Sequence, residues 1–160
     1  LYPISDETIQ ILKENTVLCH FPKRHQLIEA NKFCKSAYFI EEGMTRSFWL
    51  VNGEEITTSF ACEGAIVFSM DELYYKISLT DLLRLFETNI ELANWGRVIH
   101  QNEYRRLHRS HKDRLTLSAK ERYEAFKLQF PQMCQRIQLG YIASYLGITL
   151  STLSRLRAYK

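Results

Sequence analysis

Six side chains within the stretch YIASYLGITLSTLSRLR, Tyr141 to Arg157, share one chemistry. Thr149, Ser151, Thr152 and Ser154 carry hydroxyls, and Arg155 and Arg157 carry guanidinium groups. A guanidinium donates two parallel hydrogen bonds to the O6 and N7 of guanine, and a hydroxyl reaches a phosphate oxygen or a base edge. Together they suit a helix laid in the major groove of double-stranded DNA.

Such a face must be held by a buried one. Ile142, Ala143, Leu146, Ile148, Leu153 and Leu156 are spaced to converge as a small core, with Ala143 small enough to let two helices approach. Gly147 falls where a tight turn demands a left-handed backbone, and Thr149 is placed to cap a second helix beginning near Leu150. That helix then displays Ser151, Thr152 and Arg155, with Ser154 and Arg157 toward its flanks. A plain helical hairpin accounts for the apolar spacing equally well, but less easily for the turn, the hydroxyl-arginine face and the net charge together.

The charge is divided along the chain. Residues 1–96 hold 8 Lys/Arg against 14 Asp/Glu, net −6, and residues 97–160 hold 13 against 4, net +9. A basic part facing a polyanion is joined to an acidic part with another task. Arg105, Arg106, Arg109, Lys112, Arg114, Lys120, Arg122 and Lys127 supply cations for phosphate attraction.

The elements upstream follow from periodicity. Ser5 and Asp6 cap a first helix through Ile9 and Leu12. Val17 to Phe68 is rich in β-branched and aromatic residues broken by Gly43, Gly53 and Gly64, which predicts several short strands in a β-roll or barrel. Asn52-Gly53, between two strand-like runs, predicts a tight hairpin. SLTDLLRLFETNI is one amphipathic helix, and a longer one starts near Glu91 and continues to Leu115. Leu92, Trp95, Ile99, Asn102 or Glu103, Arg106 and Leu107 form an imperfect seam on it, fit to pair with its copy in a homodimer or to pack on its own β part. Ser118 to Glu121 reads as a capping box, Pro131 ends the helix that follows, and a three-helix unit results. The expected division is 1–90 for the β-roll with its flanking helices, 91–114 for the long helix and 115–160 for the DNA-binding unit.

Other function classes find less support. Apolar residues make up 46% of the chain, enough for a core, and no uncharged run of membrane-spanning length or leader pattern is present, so a cytoplasmic protein making no membrane contact is expected. Cys19, Cys34, Cys62 and Cys134 form no C-x-x-C pair, and packed thiols are expected, with no metal site. His100, His108 and His111 with Glu103 lie on the basic helix without a nucleophile-base or metal spacing, so no enzyme activity is expected. A small-molecule-binding module with a vestigial DNA-reading unit is the other reading.

With these elements in order, the whole chain resembles the Crp/Fnr family of transcription regulators. AYFIEEGMTRSFWLVNGEEITTSFACEG looks like the family's β-roll strands, and IASYLGITLSTLSR looks like its helix-turn-helix. The resemblance implies an α+β fold: an N-terminal β-roll of the cyclic-nucleotide-binding type (a double-stranded β-helix), a long dimerisation helix and a C-terminal helix-turn-helix. Arg155 matches the family arginine and is implied as a base contact, whereas Ser151 stands where the family usually has an acidic residue. The cyclic-nucleotide cassette would fall on EGAIVFSMDELYYKIS, which offers Glu63-Gly64 and Glu72 but no arginine to neutralise a cyclic phosphate. Cyclic AMP is therefore not the expected effector, and Glu63, Gly64 and Ala65 mark the candidate pocket for an unidentified small molecule. The clustered N-terminal cysteines of iron-sulfur members are absent, and no cofactor is expected, although His20, His25 and the thiols are of haem-ligand type. Gly64 to Ser78 is shorter than the family pattern, which implies a segment lacking around Tyr74–Lys76, and only Ala158, Tyr159 and Lys160 follow Arg157 where the family has a β-wing.

Overall fold

The structure is a computed structural model and describes residues 2–26, 35–67 and 72–158. In chain order the elements are α1 (Asp6–Glu14), β1 (Val17–His20), β2 (Ser36–Val51), β3 (Glu54–Cys62), β4 (Ile66–Val67), β5 (Glu72–Ser78), α2 (Leu79–Thr88), α3 (Ile90–Thr116), α4 (Ala119–Gln129), α5 (Leu139–Leu146) and α6 (Leu150–Ala158). An antiparallel sheet with helices before and after it makes the α+β fold the residue pattern predicts. The chain divides into two units, Leu1–Arg46 with Phe60–Arg105 and Ser47–Ser59 with Arg106–Lys160.

In the first unit, Ser5 caps α1 by accepting from the Thr8 amide at 3.3 Å. The strands are ordered β1-β5-β2-β3, with β4 also on β2. β5 lies between β1 and β2, pairing Val17 with Lys76 and Ala37 with Ile77. β5 runs through Tyr74–Lys76, the stretch where the resemblance implies a segment lacking, with a partner strand on each edge. Between Ile40 and Glu42 the β2–β5 register shifts, a bulge followed by Gly43 at φ 119°.

Leu12, Ala37, Ile77, Leu82, Leu85 and Leu92 form the core of this unit. Leu92 is fully buried, and Trp95 stacks on Phe39 with ring centroids 5.9 Å apart. The N-terminal part of the expected seam on α3 is therefore spent on the chain's own core. Gly96 allows the closest approach there, since a Cβ on it would stand 2.7 Å from the Phe86 ring tip. Asn89 separates α2 from α3 and caps α3 by accepting from the Leu92 amide at 3.0 Å.

The second unit contains the tip of the β2–β3 hairpin. Asn52 at φ 52° and Gly53 at φ 84° are both left-handed, the backbone that a two-residue hairpin turn of this hand requires. Ser118 and Glu121 make the reciprocal capping box at the start of α4. Phe126, Phe130, Met133, Ile137, Ile142, Ala143, Tyr145, Leu146 and Leu153 are buried. The rings of Phe126, Phe130 and Tyr145 meet at centroid distances of 5.1 to 6.0 Å. Ile148 and Leu156, expected in this core, are half-buried at its margin.

Candidate nucleic-acid interface

α5 is eight residues long, too short to stand alone, and its end is fully satisfied. Gly147 is left-handed at φ 64° and ψ 40°. Its amide donates to Ser144 O at 3.1 Å, and the Ile148 amide donates to Ala143 O at 3.0 Å, the paired bonds of a Schellman turn. Two arginines complete the end. Arg114 Nη2 donates to Tyr145 O at 2.9 Å, and Arg122 Nε donates to Leu146 O at 3.0 Å. The last four carbonyls of α5 thus all have donors, two of them cationic at the negative end of the helix dipole. Arg122 also donates through Nη1 to Leu117 O at 2.7 Å, and Arg114 lies 5.6 Å from the Tyr145 ring centroid.

α6 begins two residues beyond Ile148. Thr149 Oγ1 accepts from the Thr152 amide at 3.2 Å, the expected cap. The same oxygen lies 2.9 Å from Ser151 Oγ and 2.9 Å from Thr152 Oγ1. Thr149 has one proton to give, so it donates to one of these hydroxyls and accepts from the other. The hydroxyl that receives then keeps its own proton for an outside acceptor. This donor state follows from Thr149, not from Ser151 or Thr152 alone.

Leu153 is fully buried. Thr149, Ser151, Ser154, Arg155 and Arg157 are exposed, and Thr152 is half-buried. α6 therefore brings Ser151, Ser154, Arg155 and Arg157 onto one open surface, while Thr149 and Thr152 shape its first turn. Of the cations expected to attract phosphate, Arg114 and Arg122 are committed to the carbonyls of α5. Arg105, Arg109, Lys112 and Lys120 are exposed, and Lys127 pairs with Glu124 at 2.6 Å.

The candidate effector residues lie elsewhere. Glu63 accepts from the Gly43 amide at 3.0 Å, and so its carboxylate braces the bulged strand. Gly64 is left-handed at φ 79° and donates to Ile40 O, and Ala65 O accepts from the Ile40 amide. These three residues form a turn held against β2. His25 stacks on Phe21 with centroids 4.9 Å apart, while His100, Glu103, His108 and His111 are exposed on α3. Among the described residues no group of three or more His, Cys, Asp or Glu is placed to hold a metal. Cys19, Cys62 and Cys134 are half-buried thiols, and burial raises the Cys134 pKa above its ordinary value. Cys34 lies outside the described residues. No helix among the described residues is long and apolar enough to cross a membrane.

The roles of Arg114 and Arg122 were not legible from local pattern. The one available signal was the placement of two arginines among the helices that flank α5.

No protein-family model matches the chain, and no curated protein matches it. Solved structures do. The chain is similar to FixK2 from Bradyrhizobium japonicum, at 19% identity, a TM-score of 0.74, and coverage of 89% of this chain and 83% of that one. It is similar to the global regulator CLP from Xanthomonas campestris, at 13% identity, a TM-score of 0.71, and coverage of 96% and 90%. A third similar structure is a transcriptional regulator assigned to the crp/fnr family from Eubacterium rectale, at 14% identity, a TM-score of 0.72, and coverage of 98% and 83%. Over most of its length the chain has the fold of the Crp/Fnr regulators.

Proposed function

We propose that the chain is a dimeric, DNA-binding transcription regulator of the Crp/Fnr type, with α5 and α6 as its helix-turn-helix. The observation that carries this reading is the exposed surface of α6, where Ser151, Ser154, Arg155 and Arg157 stand together behind a left-handed turn at Gly147. Arg155 is the principal base contact, with Ser154 and Arg157 beside it, and the network of Thr149, Ser151 and Thr152 offers a hydroxyl donor to a base or a phosphate. The net charge of +9 over residues 97–160 supports the same partner.

The homodimer forms through α3 beyond its buried beginning. Leu107 and Leu115 are 53% and 74% exposed, and with Tyr104 and His111 they step by threes and fours along one side of the helix. A second copy of α3 covers that side, and the two α6 helices then meet half-sites about one DNA turn apart.

The sensor unit answers to a small molecule other than cyclic AMP. From Gly64 to Ser78 the only cation is Lys76, on strand β5, and Glu63 is turned to the Gly43 amide. Similar folds differ in their effectors: CLP is c-di-GMP responsive, and a CprK structure is complexed with OCPA. Effector binding acts by favouring one dimer geometry. The protein works in the cytoplasm, on duplex DNA.

Selection from random-sequence duplexes by the purified chain, with and without a metabolite extract, tests the proposal. Enrichment of a two-fold symmetric motif is expected. A chain that enriches nothing under either condition, yet binds metabolites, is a ligand-binding module with a vestigial helix pair.

A further inference from the structure

The open surface of α6 also carries one large apolar side chain. At about 100° per residue, Arg157, Leu150, Ser154, Ala158, Ser151 and Arg155 succeed one another around roughly 160° of the helix. All six are exposed. Leu150 lies between Arg157 and Ser154 in this arc and is 51% exposed. The other large apolar side chains of α5, the turn and α6 are buried or half-buried.

Exposure by itself would mean nothing, since isolated apolar side chains are ordinary on protein surfaces. Position is what distinguishes Leu150. It is the first residue of α6, at the end of a reading helix that approaches base edges, and its Cα–Cβ bond tilts toward that end. Its neighbours in the arc are hydrogen-bonding groups suited to base edges, which leaves an isobutyl group among donors and acceptors. Along the major groove the four bases present one apolar group, the C5-methyl of thymine.

The geometry points to Leu150 as an apolar reader of a thymine C5-methyl group. This rests on the reading of α6 as the DNA-recognition helix, and it adds a thymine to the site that Arg155 reads. Methylated cytosine presents the same group at the same place, so the two sources share one chemistry and are separated by the experiment.

The full-length chain is titrated by fluorescence anisotropy with the duplex enriched from random sequence, each thymine being replaced singly by deoxyuridine, which lacks only the methyl. Wild type is compared with Leu150→Ala, whose circular dichroism is recorded to confirm that an exposed substitution leaves the fold intact. The expected result is one thymine at which deoxyuridine weakens wild-type binding about fourfold, the worth of one buried methyl-sized group. Leu150→Ala should be indifferent to that replacement. With 5-methylcytosine against cytosine at the same position, a Leu150-dependent gain from the methyl supports the assignment, and a gain equal in wild type and Leu150→Ala, or none in either, overturns it. Equal sensitivity of wild type and Leu150→Ala at every thymine overturns the proposal while leaving DNA binding intact. Failure to enrich any sequence overturns the reading of α6 first, and this proposal with it.

Discussion

Ser144 Oγ accepts a hydrogen bond from the Thr57 amide at 2.9 Å and donates one to Glu55 O at 3.3 Å. β3 ends the strand order of the sheet, and the serine of α5 occupies the place of a ladder partner for its outer edge. Arg114 Nη2 adds a contact to Thr57 O at 3.4 Å. Thr57 is fully buried, so its amide has no water to fall back on. Ser144→Ala should destabilise the second unit by about 1–3 kcal/mol, the cost of an unsatisfied buried amide. Urea denaturation measures the loss, and faster hydrogen exchange at Thr57 locates it. Unchanged exchange there would show that the serine does not hold the hairpin.

Gly96→Ala should destabilise the first unit. The added carbon would sit 2.7 Å from Phe86 Cζ and about equally near both Cε atoms, so the ring meets it tip-on. Overpacking of this kind costs about 1–3 kcal/mol. The shift in denaturation midpoint reads it, and Phe86→Leu in the same chain should restore part of the loss. If the double variant is no better than Gly96→Ala, the clash is not the cause.

Glu91, on α3, receives hydrogen bonds from Thr8 Oγ1, from Ser5 Oγ at 2.7 Å and from the Ser5 amide at 3.1 Å. The Thr8 bond first, then the two from Ser5, hold its pKa below the ordinary 4.5, against a small opposing effect of burial. A carboxylate depressed in the folded state adds stability that is fully present above its unfolded pKa and is lost as the pH falls through the folded one. The start of α1 should therefore loosen as the pH drops below about 4.5. Glu91→Gln should flatten that part of the pH profile, as followed by exchange of the α1 amides. A profile identical to wild type would remove Glu91 from the account.

Arg155→Ala should weaken binding to the selected duplex by about 1–3 kcal/mol and relax the preference at one position, with little effect on non-specific DNA. Ser151→Glu should move the preference at its own position toward cytosine, whose N4 amino group donates to a carboxylate. Repeating the selection with each variant reads both changes. A motif unaltered by either substitution would detach α6 from sequence reading.

Leu107→Glu should shift the chain toward monomer in sedimentation velocity, since like charges would face each other across paired α3 helices. Half-site binding should remain detectable while two-site binding weakens. A wild-type chain that already sediments as a monomer with DNA bound would refute the α3 dimer.

Features that depend on neighbouring residues were legible in the sequence. Asn52-Gly53, the Ser118–Glu121 box, Gly147 and the Thr149 cap each obey a rule spanning a few residues, and each has the expected backbone or bond. β5 was harder to see. Leu73, Tyr75 and Ile77 alternate with polar residues, but this period-two signal sits in a short stretch shared with the presumed cassette. Least legible were bonds that span the chain. Nothing local to Ser144 indicates Thr57, and an arginine count cannot distinguish one that meets phosphate from one that caps a carbonyl. The seam on α3 was legible only in part for a related reason: helical spacing marks Leu92 and Leu107 alike, and only the sheet against the first turns separates a core residue from an exposed one.

The arginines that close the end of α5 also change what a salt titration should report. Each phosphate neutralised on duplex DNA releases condensed counterions and adds about 0.9 to the slope of log affinity against log salt. A guanidinium already bound to Tyr145 O or Leu146 O is withheld from that exchange. The slope should thus follow exposed cations such as Arg105, Arg109, Lys112 and Lys120, and fall short of the formal charge of the basic half.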